Sequence, residues 1–331
     1  MSCMQILQRS VTGLLCVALA GTMAFSARVA QHLPDAVYLP QVEEWSVDAG
    51  AAGLSPENEP IVNSTLLQRL IDTASLEGGG VILIPEGEYC FAQTGEQTIG
   101  AHCIKMRSNV TIRGMGDKTV LKPVGSSLEG LDMFYFNEYL DTGKAIYLKN
   151  CRFEDFVIDA YGTSCEVYTS AGKGFMFNLF RDCHWKRVTV KNTDATGFGV
   201  DCPIDSSIAE CRAEGCGKAA NTENAGASGF GIGFGYCEEE NMVISDCVSI
   251  GNKKFGFFFE HQGRFNAVKY AATDAEGFAV RDCEAEGNLY NFGGIRALNL
   301  IYADCRSVAA RGQGFYFEAS LNCETVNCTE N

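Results

Sequence analysis

The chain is 331 residues long, 46% hydrophobic and 20% charged, with a net charge of -15 at pH 7. That length admits one large domain or two ordinary ones. The acidity argues against nucleic acid or an anionic membrane as partner, because phosphate binding needs a basic footprint, and it disfavours a polyanionic substrate unless the binding groove is locally basic.

Residues 1–26 read as an export signal. Arg9 is the only charged side chain there, Val11–Ala24 is an apolar run, and Ala24 and Ser26 are small residues of the kind a signal peptidase reads. The run is short for a membrane span, so none is expected after signal removal. The competing reading is an N-terminal helix packed on the domain. Residues 27–59 read as an irregular acidic segment and 60–331 as one folded domain. Within it, Leu66, Leu67, Leu70 and Ile71 make a helical stripe over Asn63–Ser75, with Asn63 or Ser64 as the cap. Gly78, Gly79 and Gly80 end the helix, Val81–Pro85 reads as a strand, and Pro85–Tyr89 as a turn into the next.

From there nearly everything reads as short strands with alternating apolar and polar residues. Examples are Val110–Arg113, Val120–Lys122, Phe156–Ile158, Val188–Val190, Met242–Ile244 and Leu300–Tyr302. The dipeptide Gly-Phe recurs, and the fourth residue after each Gly is usually polar: Gly174 leads to Asn178, Gly197 to Asp201, Gly256 to Glu260 and Gly314 to Glu318. The copy at Gly229 breaks the rule with Gly233. A repeat of about 22 residues with insertions marks a solenoid, whose units bury their faces only by stacking. Stacked coils would align Asn178, Asp201, Glu260 and Glu318 in one column of amides and carboxylates, which suits a sugar polymer. Residues 217–228 and 262–276 break the period and read as loops walling one side of a groove. No polar cap follows Cys328. Either a partner chain or a second copy covers the last coil, or the chain is a truncated gene product.

Sixteen cysteines would suggest disulfides in a secreted chain. Most, however, share one context, a polar residue followed by Cys: Asn150-Cys151, Asp182-Cys183, Glu210-Cys211, Asp246-Cys247, Asp282-Cys283, Asp304-Cys305 and Asn327-Cys328. Recurrence at one coil position reads as a buried ladder of free thiols. One or two disulfides among Cys90, Cys103 and Cys165 stay open. No metal site is read: Cys211 and Cys216 are too far apart for a CxxC pair, and no His lies at ligand spacing.

The helix, the run from Gly78 to Tyr89 and the segment Asn109–Asp117 together resemble the entry of the pectate-lyase-like superfamily. That resemblance implies an all-β fold, a right-handed single-stranded parallel β-helix with a short N-terminal capping helix. Over roughly Val110–His261 the chain is most similar to the mannuronan (alginate) C5-epimerases. The resemblance is carried by Gly114-Met-Gly-Asp-Lys-Thr119, by Gly172-Lys-Gly-Phe175, and by Val188-Thr-Val190 ahead of Phe198-Gly-Val-Asp-Cys-Pro203. It implies that Lys173 and Asp201 occupy active-site positions. The family tyrosine is Phe198 here, and its histidine has no counterpart after Asp201. Asn192-Thr-Asp194 is similar to one short polygalacturonase motif, but that family's other motifs are missing.

Removing the C5 proton of a uronic acid requires that the adjacent carboxylate first be neutralised; a base then takes the proton and an acid returns one. Lys173 is the candidate for neutralising that carboxylate and Asp201 for hydrogen-bonding to it. Tyr236, His261 and Arg264 are the candidates for the proton steps. A hydrolase would want two carboxylates flanking the bond, as Asp201 could form with Asp205 or with Glu260. Asn178, Lys191, Tyr236, Arg264 and Glu318 are further substrate-binding candidates, and Lys186, Arg187 and Lys191 are expected to put positive charge beside Asp201. The aromatic runs Phe255–Phe259 and Phe315–Phe317 read as core stacks before sugar platforms. The preferred expectation is an enzyme, secreted or in the cell envelope, acting on a uronate-containing polysaccharide by C5-epimerisation or β-elimination. A glycan-binding or envelope-adhesion protein that has lost catalysis, and a glycoside hydrolase, are the alternatives. No cofactor is read; Ca2+ stays open.

Overall fold

The computed structural model describes residues 45–94, 101–221, 227–237, 239–262 and 278–331. The export signal, Arg264 and nearly all of the 262–276 insertion lie outside the described residues. The chain is a right-handed parallel β-helix, and every strand pairing between its coils is parallel.

The helix at its N-terminal end runs over Pro60–Leu76, starting earlier than the Asn63 cap expected from sequence. Pro60 sits in its first turn, where the missing N–H and fixed φ suit a helix start. Asn63 and Ser64 are buried inside the helix and tie it to the first coil: Asn63 Nδ2 donates to the Cys90 carbonyl at 3.2 Å and Ser64 Oγ to that of Ala92 at 2.7 Å. The segment before it is not wholly irregular, because Ser46–Asp48 pairs with Val81–Leu83.

Each coil then makes three short strands on three faces. The strand Phe175–Lys191 spans all three, pairing first with Phe198–Ile204, then with Ser206–Ala209, then with Arg212–Glu214. The polar residue before each repeated Cys turns a corner: Asn150, Asp182, Glu210, Asp246, Asp282, Asp304 and Asn327 all have φ between 51° and 55°. Asn and Asp tolerate that left-handed conformation better than other non-glycine residues. The following Cys points inward, and its thiol meets the preceding coil. Cys211 N donates to Cys247 Sγ at 3.3 Å and Cys247 N to Cys283 Sγ at 3.4 Å. All fourteen described cysteines are free thiols, including Cys90, Cys103 and Cys165.

The core is a stack of rings. Phe134, Phe175, Phe198, Phe230, Phe257, Phe292 and Phe315 follow one another at centroid spacings of 4.7–5.4 Å. Such pairs add about 0.5–1.5 kcal/mol each beyond burial. Two of these rings, Phe134 and Phe292, follow no Gly; the strand of the second, Tyr290–Ile295, lies between the strands Phe255–His261 and Gln313–Glu318. A buried amide ladder of Asn252, Asn288 and Asn291, also unforeseen, runs beside the rings.

Candidate functional site

The Gly-Phe rule and the strand register agree on one column. Asn178 pairs with Asp201, Asp201 with Gly233, Gly233 with Glu260, Glu260 with Ile295, and Ile295 with Glu318. Beside it on the same outer face runs a second column: Tyr135, Met176, Gly199, Gly231, Phe258 and Gly293. Where the two columns carry glycines, the face sinks into a groove of about 520 Å³ lined by residues that include Lys173, Asp201 and Glu260. That volume is ordinary for a small-ligand site.

Lys173 reaches the groove across a glycine. Its side chain lies over Gly199, where a Cβ would come within 2.4 Å of the Lys173 Cδ. Among the described residues its ammonium has no ion-pair partner. Asp201 is 7% exposed, and its Oδ1 accepts the Gly233 N–H of the next coil at 3.1 Å. Gly233 leaves the room for this: a Cβ there would sit 2.3 Å from Asp201 Oδ1 and against Gln262. Glu260 is engaged by Arg296, whose Nη2 donates to Oε1 at 3.0 Å.

Asp132 and Arg296 line the groove although no motif singled them out, and so do Gln262 and Glu129. Asp132 is 1% exposed; its Oδ1 accepts the backbone N–H groups of Gly172 at 2.9 Å and Lys173 at 2.7 Å. Burial pushes its pKa up to about 6, against the pull of the Lys173 charge and the two N–H bonds. Tyr135 also lines the groove, with its hydroxyl committed to Asp141 at 2.7 Å.

Other sequence candidates stand elsewhere. Asp205 is an exposed corner residue bonded to Asn241 and lies outside the groove, so it cannot pair with Asp201 across a glycosidic bond. His261 follows Glu260 but points the other way, as alternate strand residues do. It is 8% exposed, packs edge-on to Phe234 at 5.4 Å and covers Gly235, and burial followed by the Arg296 charge lowers its pKa. Tyr236 packs edge-on against Tyr147 at 6.3 Å, also outside the groove. Asn178 stays in the column but is buried and does not reach the groove, and Glu318 is an exposed partner of the Tyr316 hydroxyl. The expected basic cluster beside Asp201 is absent, because corners carry it to other faces. There Lys186 pairs with Glu210, Arg187 with Asp155, and Lys191 with Asp159. Phe198 is wholly buried between Phe175 and Phe230.

The corner after Asp201 holds a second buried carboxyl. Glu240, 3% exposed, accepts the N–H groups of Gly235 at 2.6 Å and Tyr236 at 3.0 Å, and burial pushes its pKa up to about 7. Among the described residues no cluster of three His, Cys, Asp or Glu is arranged to hold a metal ion, and no helix is long and apolar enough to cross a membrane.

No protein-family model matches the chain. The mannuronan C5-epimerase AlgE6 of Azotobacter vinelandii is 35% identical over 83 residues, which make up 25% of this chain and 9% of that protein. Among solved structures, the A-module of the mannuronan C-5 epimerase AlgE4 from Azotobacter vinelandii has a TM-score of 0.57 at 17% identity, over 85% of this chain and 76% of that one. The tailspike protein gp49 of Acinetobacter baumannii bacteriophage Fri1, a capsular polysaccharide depolymerase, has a TM-score of 0.54 at 16% identity, over 87% and 51% respectively. These similarities show the shared fold.

Proposed function

On this pectate-lyase-like right-handed β-helix, we propose that the groove binds a uronate-containing polysaccharide and removes the C5 proton of one unit, leading to epimerisation or β-elimination. The observation that carries this reading is the Lys173 ammonium, held over Gly199 with no ion-pair partner among the described residues and with the carboxylates of Asp132 and Asp201 in the same groove. A cation so placed neutralises the substrate carboxylate, which is the condition for taking the adjacent proton. Asp201 uses one oxygen on Gly233, and its second oxygen is the candidate to meet the substrate. The epimerase and the depolymerase with this fold act on polysaccharides by their names, which supports the substrate class. Polysaccharides of this kind lie outside the cell, so secretion or the cell envelope belongs to the same reading.

A hydrolase is less well supported. Glu260 is tied to Arg296, and its backbone stands two coils, about 9.5 Å, from that of Asp201. A binding-only protein has one observation in its favour: the described residues lining the groove include no histidine, and their tyrosine is committed to Asp141.

Product analysis on alginate, pectate and glycosaminoglycans separates the readings, with wild type run beside Asp201→Ala and Lys173→Ala. Unsaturated ends mark elimination and an altered C5 configuration marks epimerisation, and either must vanish in both variants. New reducing ends without unsaturation would overturn the proposal in favour of hydrolysis. Binding without turnover would leave a lectin-like protein.

A further inference from the structure

We propose that Asp132 is a positioning residue for Lys173 and that this buried carboxyl takes up a proton when a uronate carboxylate enters the groove. This rests on the reading above. Asp132 holds the backbone of Gly172 and Lys173 through Oδ1 alone. Its Oδ2 is buried and has no hydrogen-bond partner among the described residues. The knot around it is tight. Gly172 has φ +88°, and a Cβ there would meet the Asp194 Cβ at 2.7 Å. The Lys173 carbonyl accepts the Met133 N–H at 2.9 Å. Lys173 is therefore pinned at its backbone by Asp132 and along its stem by Gly199.

An ionised Asp132 offsets the ammonium that the substrate must meet. A second anion at Lys173 competes with it, and the low dielectric of a buried site magnifies the repulsion between the two carboxylates. Protonation of Asp132 relieves this and gives the unpartnered oxygen a hydrogen to donate. Its pKa of about 6 puts that event within reach at neutral pH. Linkage then fixes the sign: a group whose pKa rises on binding makes affinity increase as pH falls. The groups facing Asp132 are Lys173 and Asp194 from the following coil, His102 and Cys103 from the preceding strand, and Tyr135 and Glu129 from its own segment. Of these, His102 could give the same sign, so it must be controlled.

The test is the affinity of the full chain for a polyguluronate, polymannuronate or polygalacturonate oligomer between pH 5 and 8, with proton uptake measured by calorimetry in buffers of different ionisation enthalpy. Wild type is expected to bind several-fold to tenfold more tightly at pH 5.5 than at pH 8, with net proton uptake. Asp132→Asn, which keeps the Oδ1 acceptor, should bind with a flat profile and no uptake, while His102→Gln keeps the slope. A flat wild-type profile, or an unchanged slope in Asp132→Asn, overturns the proposal while leaving the substrate class intact. No binding to any polyuronate overturns both. Should Asp132→Asn fail to fold, carboxyl-carbon NMR of wild type decides: a carboxyl titrating near 6 must move upward when the oligomer is added, and a signal that stays put overturns the proposal.

Discussion

The side chain of Lys173 and the bare backbone of Gly199 occupy one another's space: a single carbon on Gly199 would lie 2.4 Å from Cδ and 3.1 Å from Nζ of the lysine. The added methyl points outward into the groove, so the lysine yields and the core does not. Gly199→Ala is expected to cost under about 1 kcal/mol of stability but at least tenfold in polyuronate affinity. Gly231→Ala, whose new carbon meets Thr196 Cγ2 at 3.1 Å, should cost less affinity. Titration calorimetry beside thermal melts checks both, and equal losses in the two variants would contradict this account of Lys173.

Asp201→Ala removes the oxygen that accepts the Gly233 N–H. Leaving that donor unpaired in a buried site costs about 1–3 kcal/mol. Activity should fall by more than 10²-fold, beyond what partial unfolding explains, since removing one preorganised group that meets the reacting unit costs on that scale. Asp201→Asn, which keeps the acceptor, should recover the melting temperature and none of the activity.

Phe198→Tyr restores the tyrosine of the epimerases by letter and is expected to gain nothing. The ring lies in the core stack between Phe175 at 5.4 Å and Phe230 at 4.8 Å, on the opposite side of the strand from the groove. Its hydroxyl would be buried without a partner, lowering stability by about 1–3 kcal/mol. Any increase in turnover would contradict this placement.

Two buried carboxyls make stability depend on pH in an uncommon direction. Asp132 near 6 and Glu240 near 7 both lie above their ordinary values of 3.8 and 4.5. Between the ordinary and the folded values the folded chain holds more protons than the unfolded one. The stabilisation is therefore complete below about pH 4 and is lost as pH rises through 6 to 7, amounting to about 3 kcal/mol per group. Urea denaturation at pH 5 and 7.5 measures the slope. Glu240→Gln should roughly halve it, leaving the share of Asp132, while lowering absolute stability, because one of the two N–H groups then meets an amide N–H2.

Asn288 accepts the Asn252 N–H at 2.8 Å, and donates to the Ser249 carbonyl at 3.1 Å and to Asn291 Oδ1 at 2.9 Å. Asn288→Ala leaves several buried groups unpaired and should cost about 3 kcal/mol or more. Hydrogen exchange should show the loss first in the coils from 278 onward.

Much of this molecule could be read from its letters, and the reason is periodicity. Strand side chains alternate and coils stack in register, so a fixed offset from Gly-Phe lands on a fixed face; Asn178, Asp201 and Glu260 follow from that rule alone. The same alternation misled where neighbours were taken together: His261 and Glu260 are adjacent in sequence and face opposite ways. Corners set the other limit. A left-handed residue such as Asp182 or Arg187 turns the chain onto a new face, so Lys186 and Lys191, close to Asp201 in sequence, never approach it. The amino-acid sequence by itself determined the solenoid, its aromatic core, its thiol ladder and the central column. Tertiary structure alone decided that Asp132, Arg296 and Gln262 join Lys173 and Asp201 in one groove, because coils far apart in the chain meet there and no local pattern records which side chain a glycine on the next rung leaves room for.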